Sequence, residues 1–238
     1  MGERDKGNVK EGWSAWWSFA RIPEFPVEAD KTALIVIDMT YQQAHRDYGL
    51  CKRIIEAGLE DDLAYYLDRI DRVVVPNLVT LIAAFRSVGA PVIYTRCASL
   101  VGDGSDQTWR HRQFGVVTTV DSKDAQILEP LAPEEGDIML TKSGSAVFPS
   151  THCEHLLRVK GITTIVVSGI FTNSCVEGTI RLGGDLDFRC LMPEDSCAAM
   201  SPSGHANAVE YLDGNFCHVK PTAEIIRLLG AEADAAAA

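Results

Sequence analysis

The chain reads as an α/β protein, a Rossmann-like three-layer α/β/α arrangement around a mainly parallel six-stranded sheet. Two observations predict this. Short apolar runs of strand length alternate with helical patterns along most of the 238 residues. Several of these runs are continuously apolar, as in strands covered on both faces, and the helices fall where crossovers between parallel strands are needed.

Residues 1–30 form an irregular N-terminal arm with an aromatic cluster of Trp13, Trp16, Trp17 and Phe19. Tryptophan is enriched at interfaces, so this arm is expected to pack on the domain or on a neighbouring subunit. A single domain over 31–230 follows. Its first strand is Thr32 to Asp38, an apolar run ending in a carboxylate. A helical stretch covers roughly Leu67 to Val88; Pro76 within it predicts a late start or a kink. Gly89-Ala90-Pro91 ends it, and Val92 to Arg96 is the second strand. Residues 97–136 are expected to be mostly irregular, and a connection this long is usually functional or wrapped against a partner. Asp137 to Lys142 is the third strand, and Pro149 to Lys160 a helix with proline near its first turn. The fourth strand, Ile162 to Val167, leads into a helix carrying Cys175, and Phe188 to Met192 is the fifth strand. A helix over 203–213, a short sixth strand Phe216 to Val219 and a last helix Thr222 to Leu229 complete the domain. The Ala-rich tail, 231–238, is expected to be frayed.

Composition narrows the function classes. An apolar fraction of 46% and a charged fraction of 23% are ordinary for a globular protein. A formal charge of −11 argues against a nucleic-acid partner, which needs a basic face, and against anionic membrane surfaces. No apolar run approaches the roughly 20 residues that span a bilayer. The polar start, Met1 to Glu11, lacks the apolar core of a secretory signal. Seven cysteines without CxxC pairs or zinc spacing predict free thiols in a reducing cytoplasm.

In open parallel sheets, ligands bind beyond the carboxyl ends of the strands. Asp38 and Lys142 each lie at such an end. Cys175, in Ser168-Gly169-Ile170-Phe171-Thr172-Asn173-Ser174-Cys175-Val176-Glu177-Gly178-Thr179, lies just past a third, where a helix begins. A helix N-terminus and a nearby ammonium stabilise a thiolate, so the Cys175 pKa is expected to be lowered. A carboxylate within reach takes the thiol proton and returns it to a leaving amine, and backbone N–H groups at the turn hold an oxyanion. A structural thiol, a capping carboxylate and a solvated lysine are the alternative readings of the same three residues.

At these residues the sequence resembles the isochorismatase-like cysteine hydrolases, a superfamily that includes nicotinamidases, N-carbamoylsarcosine amidohydrolase, biuret and triuret hydrolases and ureidoacrylate amidohydrolases. The resemblance runs from about Thr32 to Leu229 and rests on three motifs. These are Leu34-Ile35-Val36-Ile37-Asp38-Met39, Thr141-Lys142-Ser143-Gly144-Ser145-Ala146-Val147-Phe148 and Gly169-Ile170-Phe171-Thr172-Asn173-Ser174-Cys175-Val176. The resemblance implies a catalytic triad of Asp38, Lys142 and Cys175, a cis peptide at Ile170–Phe171, and an oxyanion hole from the N–H groups of Phe171 and Cys175. It implies a metal-independent amidohydrolase that cleaves a C–N bond of a small carboxamide or ureido compound through an acyl-cysteine and releases ammonia. Arg96-Cys97-Ala98-Ser99-Leu100 has no D-x-H pattern, which disfavours a metal and nicotinamide; no cofactor is expected. Thr40 stands where relatives often carry Gln. The N-carbamoylsarcosine and biuret–triuret branch is the nearest in pattern. A nicotinamidase-like or maleamate-type amidase and a silent binding protein are the alternatives. Expected substrate contacts are Tyr41, Gln43, Arg96, Trp109, Arg112, Phe114 and Phe171, with Arg96 or Arg112 holding a carboxylate or carbonyl in bidentate fashion. The partner is a small-molecule substrate, and a homo-oligomer, dimer or tetramer, is expected.

Overall fold

A sheet built from continuously apolar strands organises the molecule. The structure, a computed structural model, describes residues 20–115 and 117–231. The Trp13, Trp16, Trp17 and Phe19 cluster, and the tail beyond Ala231, lie outside the described residues.

The strands are β1 (Thr32–Ile37), β2 (Val92–Cys97), β3 (Ile138–Lys142), β4 (Thr164–Ile170), β5 (Arg189–Pro193), β6 (Cys197–Ala198) and β7 (His218–Lys220). The sheet runs β3-β2-β1-β4-β5-β7, with the two-residue β6 paired to β4, so among the described residues seven strands are present where six were expected. Every strand pairing is parallel. β6 escapes sequence reading because two residues carry no periodicity. β4 extends three residues beyond its expected end. Ser168 and Gly169, which look like the start of a turn, are still paired with Val36 and Ile37 of β1.

The helices are α1 (Tyr41–Ala44), α2 (Gly49–Glu56), α3 (Glu60–Arg69), α4 (Val75–Ser87), α5 (Trp109–Gln113), α6 (Cys153–Val159), α7 (Glu177–Asp185), α8 (Pro202–Leu212) and α9 (Thr222–Leu229). α3 and α4 are joined by a single π-turn, Ile70–Val74. Pro76 explains it: without an N–H, proline cannot make the ordinary helical bond four residues back, and a widened turn absorbs the mismatch. The expected stretch from Leu67 therefore begins earlier, at Glu60, and bulges rather than starting late. The expected helix Pro149–Lys160 splits into a 3₁₀ turn, Phe148–Ser150, and α6. The sixth expected strand begins only at His218, because the N–H groups of Phe216 and Cys217 both donate to Leu212 O and finish α8.

Alternate residues of β1 divide between two cores. Leu34 and Val36 pack with Leu63 and Tyr66 of α3, Leu78, Leu81 and Phe85 of α4, and Ile225 and Ile226 of α9. Ala33, Ile35 and Ile37 face the other way, onto Leu157 of α6, Ile180 of α7 and Leu212 of α8. All six residues of β1 are fully buried, which is why the strand lacks polar alternation. All seven cysteines are unpaired and buried. Among the described residues no helix is long and apolar enough to cross a membrane.

Candidate active site

The chain turns from β1 to β2 and β3 on one side and to β4 and β5 on the other. The crevice between the carboxyl ends of β1 and β4 is therefore the switch point where open sheets bind ligands. Close approach there depends on Gly169. Its φ is +102°, and a Cβ at this position would lie 2.2 Å from Ile37 O, so no other residue fits.

Asp38 follows β1 directly and has φ +52°, a left-handed conformation that Asp tolerates better than most residues. The carboxylate is fully buried. Thr95 Oγ1 donates to Asp38 Oδ1 at 2.9 Å, and the Asp38 N–H in turn donates to Thr95 O at 3.2 Å. Lys142, also fully buried, reaches across β2 from the end of β3 and places Nζ 2.7 Å from Asp38 Oδ2. The same ammonium donates to Gly144 O at 2.8 Å and lies 3.6 Å from Cys175 Sγ. The three residues named from the sequence thus meet at one point.

Cys175 sits not in an ordinary helix but in a π-turn, Thr172–Val176, just ahead of α7. The Ile170–Phe171 peptide before it is cis. Phe171 O accepts from the N–H groups of both Ser174 and Val176, at 3.0 and 3.2 Å. Thr172 is pinned from outside: its Oγ1 lies 2.9 Å from His205 Nδ1, and His205 Nε2 lies 2.9 Å from an Arg69 guanidinium nitrogen. Arginine only donates, so Nε2 accepts and Nδ1–H donates to Thr172. Arg69 also donates to Cys197 O and Glu194 O. Burial, then the Arg69 charge, push His205 down to about 4 and keep it neutral.

The electrostatics correct one sequence expectation. The Cys175 thiol is pushed up, not down: burial acts first and the Asp38 carboxylate second, and Lys142 only partly offsets them. Burial alone would lower the Lys142 ammonium, but the Asp38 carboxylate beside it raises it overall. The resting site is therefore a protonated thiol beside an ammonium–carboxylate pair. Cys97, which shares the cavity, is pushed up to about 12 by burial.

A cavity of about 500 Å³ opens over Cys175, and Asp38, Lys142, Cys97 and Ser174 also line it. Gln42 and Gln43 of α1, Leu50, Arg53 and Ile54 of α2, and Gln107, Arg110, His111 and Phe114 around α5 form its walls, with Phe171 and Ser145. Of the expected substrate contacts, Gln43, Phe114 and Phe171 line the cavity. Tyr41, Arg96, Trp109 and Arg112 do not, and each has a geometric reason. Tyr41 packs its ring edge-on to Tyr48 at 5.0 Å, with Lys123 Nζ 3.8 Å above it. Arg96 falls between Thr95 and Cys97, which face the site, so the alternation of β2 sends it the other way. There it donates to Thr141 Oγ1 and Val120 O. On α5, Arg110, His111 and Phe114 share one face; Trp109 and Arg112 lie on the opposite one. Trp109 is 70% exposed, and Arg112 donates to the Ser105 and Gln107 carbonyls.

The sequence reading missed α2 and with it Arg53, Leu50 and Ile54. The signal was present: Leu50, Arg53, Ile54 and Ala57 recur at helical spacing on one face, with Gly58 ending the run. Gln107 and Arg110 were missed inside a segment read as irregular. α5 spans only five residues and starts on a Thr108 cap that accepts the His111 N–H.

Comparison with known proteins agrees with this geometry. The family model described as the isochorismatase domain matches residues 32–224. The ureidoacrylate amidohydrolase RutB of Klebsiella pneumoniae subsp. pneumoniae is 31% identical over 200 residues, covering 77% of this chain and 80% of that protein. A cysteine hydrolase from Pseudomonas syringae pv. phaseolicola superposes with a TM-score of 0.73 at 26% identity, over 88% of this chain and 98% of its own. The N-carbamoylsarcosine amidase of Thermoplasma acidophilum shares the fold, with a TM-score of 0.62 at 23% identity over 81% of this chain and 96% of its own. With its three motifs gathered at the switch point of a parallel sheet and the family model matched over most of its length, the chain belongs to the isochorismatase domain family.

Proposed function

We propose that this protein is a metal-independent cysteine amidohydrolase that cleaves a C–N bond of a small carboxamide or ureido compound and releases ammonia. One observation carries the reading: a buried Asp38–Lys142 pair, 2.7 Å apart, with the Cys175 thiol 3.6 Å from the same ammonium at the reactive end of a cavity. The similarity to a ureidoacrylate amidohydrolase supports the ureido substrate class.

The resting thiol is neutral, so attack needs a base. As Cys175 Sγ bonds to the substrate carbonyl carbon, its proton passes to the Asp38 carboxylate. The carbonyl oxygen becomes an oxyanion held by the N–H groups of Phe171 and Cys175. The C–N bond then breaks, Asp38 returns the proton to the leaving nitrogen, and ammonia departs. This leaves an acyl-cysteine, or an S-carbamoyl cysteine from a ureido substrate. Water adds to that carbonyl as Asp38 takes one of its protons. Cleavage of the C–S bond releases the acid, and the sulfur recovers its proton. Lys142, 2.7 Å from Asp38 Oδ2, holds the carboxylate in place between steps.

Cys175→Ala removes the nucleophile with little change of volume. It is expected to abolish ammonia release from an amide and ureide panel while the melting temperature stays within a few degrees of wild type. Residual turnover near the wild-type rate in that variant rules the mechanism out.

A further inference from the structure

Two arginines face the cavity without an acidic partner. Arg53 comes from α2 and Arg110 from α5, on different walls. Among the described residues neither lies within ion-pair distance of a carboxylate, although most other arginines in the chain do. Arg53 makes one long contact, 3.4 Å to Gly115 O. Arg110 meets the Ser145 hydroxyl and lies 5.4 Å above the Phe114 ring. The other charges on the wall, Asp38 and Lys142, neutralise each other. The cavity is therefore net cationic inside a chain whose formal charge is −11.

Leu50, Ile54 and Leu59 supply an apolar wall between these polar groups.

We propose that the cavity selects an anionic substrate, a short amide or ureido acid. Its carboxylate lies at Arg53 and Arg110, and its carbonyl is presented to Cys175. The guanidinium fork matches a carboxylate, and two of them in a partly enclosed space bind and steer an anion far better than exposed charges do. This inference rests on the reading of the cavity as the hydrolytic site. It also replaces Arg96 and Arg112, whose side chains are occupied elsewhere, with two arginines that face the reacting thiol's cavity.

Alkylation of Cys175 tests it without knowledge of the substrate. Iodoacetate and iodoacetamide differ only in carboxylate against carboxamide; with each, Cys175 Sγ bonds to the CH₂ carbon as iodide leaves, and the thiol proton passes to solvent. Rates at Cys175 are read by peptide mass spectrometry at pH 7, and the iodoacetate-to-iodoacetamide ratio is compared with that of free glutathione. The expected ratio is at least fivefold above glutathione in the wild type. It falls to within about twofold of glutathione in the Arg53→Gln/Arg110→Gln double variant. If that variant does not fold, the wild-type excess is followed from about 10 mM to about 0.5 M salt, where screening is expected to erase most of it. A wild-type ratio equal to that of glutathione, or an excess indifferent to both the substitutions and salt, overturns the anion site alone. Failure of both reagents to modify Cys175 overturns the nucleophile as well.

Discussion

Lys142 brings a charge to a place where a charge is costly. A lysine with no exposed surface persists because its ammonium has three partners: the Asp38 carboxylate, Gly144 O and the Cys175 sulfur. Removing one member of such a pair strands the other. Lys142→Met is expected to lower unfolding free energy by about 3–5 kcal/mol and to abolish turnover. The Asp38→Asn/Lys142→Met double variant, which removes both charges, is expected to recover part of that stability but none of the activity. Urea melts and ammonia release on the same samples check both; a double variant no more stable than Lys142→Met alone contradicts the ion-pair account. At this scale the sequence was informative about identity and silent about orientation. Asp38, Lys142 and Cys175 were legible because each ends a strand or opens the turn after one. Arg96 and Arg112 do not line the cavity, because an arginine's type says nothing of which side of β2 or α5 it leaves from.

The π-turn of Thr172–Val176 holds Cys175, the proposed nucleophile, and the Arg69–His205–Thr172 chain fastens it to α3 and α8. His205 lies far from the triad in sequence and had no motif to mark it. Its depressed pKa gives a sign that can be checked. Folded His205 takes up a proton only near pH 4, whereas an unfolded histidine does so near 6.5. Its stabilising contribution is therefore complete above about pH 6.5 and is lost as the pH falls toward 4. In His205→Asn the unfolding free energy is expected to be lower at pH 7, with a shallower decline over that window, the difference being up to about 3 kcal/mol. Denaturant melts at pH 7, 5.5 and 4.5 measure it, and parallel curves for the two proteins reject the assignment. A positioning role adds a kinetic signature: kcat falls more than KM rises, since the turn loosens without loss of a substrate contact. Most strands and long helices were legible at this scale because burial on both faces leaves continuous apolar runs. α2 was overlooked although Leu50, Arg53, Ile54 and Ala57 recur at helical spacing, and the five residues of α5 are too few to show a period.

Across the whole molecule, buried thiols make the fold sensitive to alkali. Burial raises Cys51 to about 11 and Cys97, Cys153, Cys190 and Cys197 to about 12, and Cys175 is raised as well. Between the unfolded thiol pKa, about 8.5, and these values, the unfolded chain loses protons that the folded chain keeps. Stability is then complete below about pH 8.5 and falls as the pH rises, by about 1.4 kcal/mol per pH unit for each titrating thiol. Over six such thiols the unfolding free energy is expected to drop by about 10 kcal/mol between pH 8 and 10, as much as a domain's whole ordinary stability; a flat profile over that range contradicts the burial of these cysteines. The sequence by itself determined the α/β class, the order of the main elements and the three residues at the strand ends, because apolar periodicity and position along a strand are local properties. The tertiary structure alone decided the seventh strand, the protonation of Cys175 and the walls of the cavity. Desolvation, the partners of a buried charge and the side of an element from which a side chain leaves depend on what packs against it, and those neighbours come from segments distant in the chain.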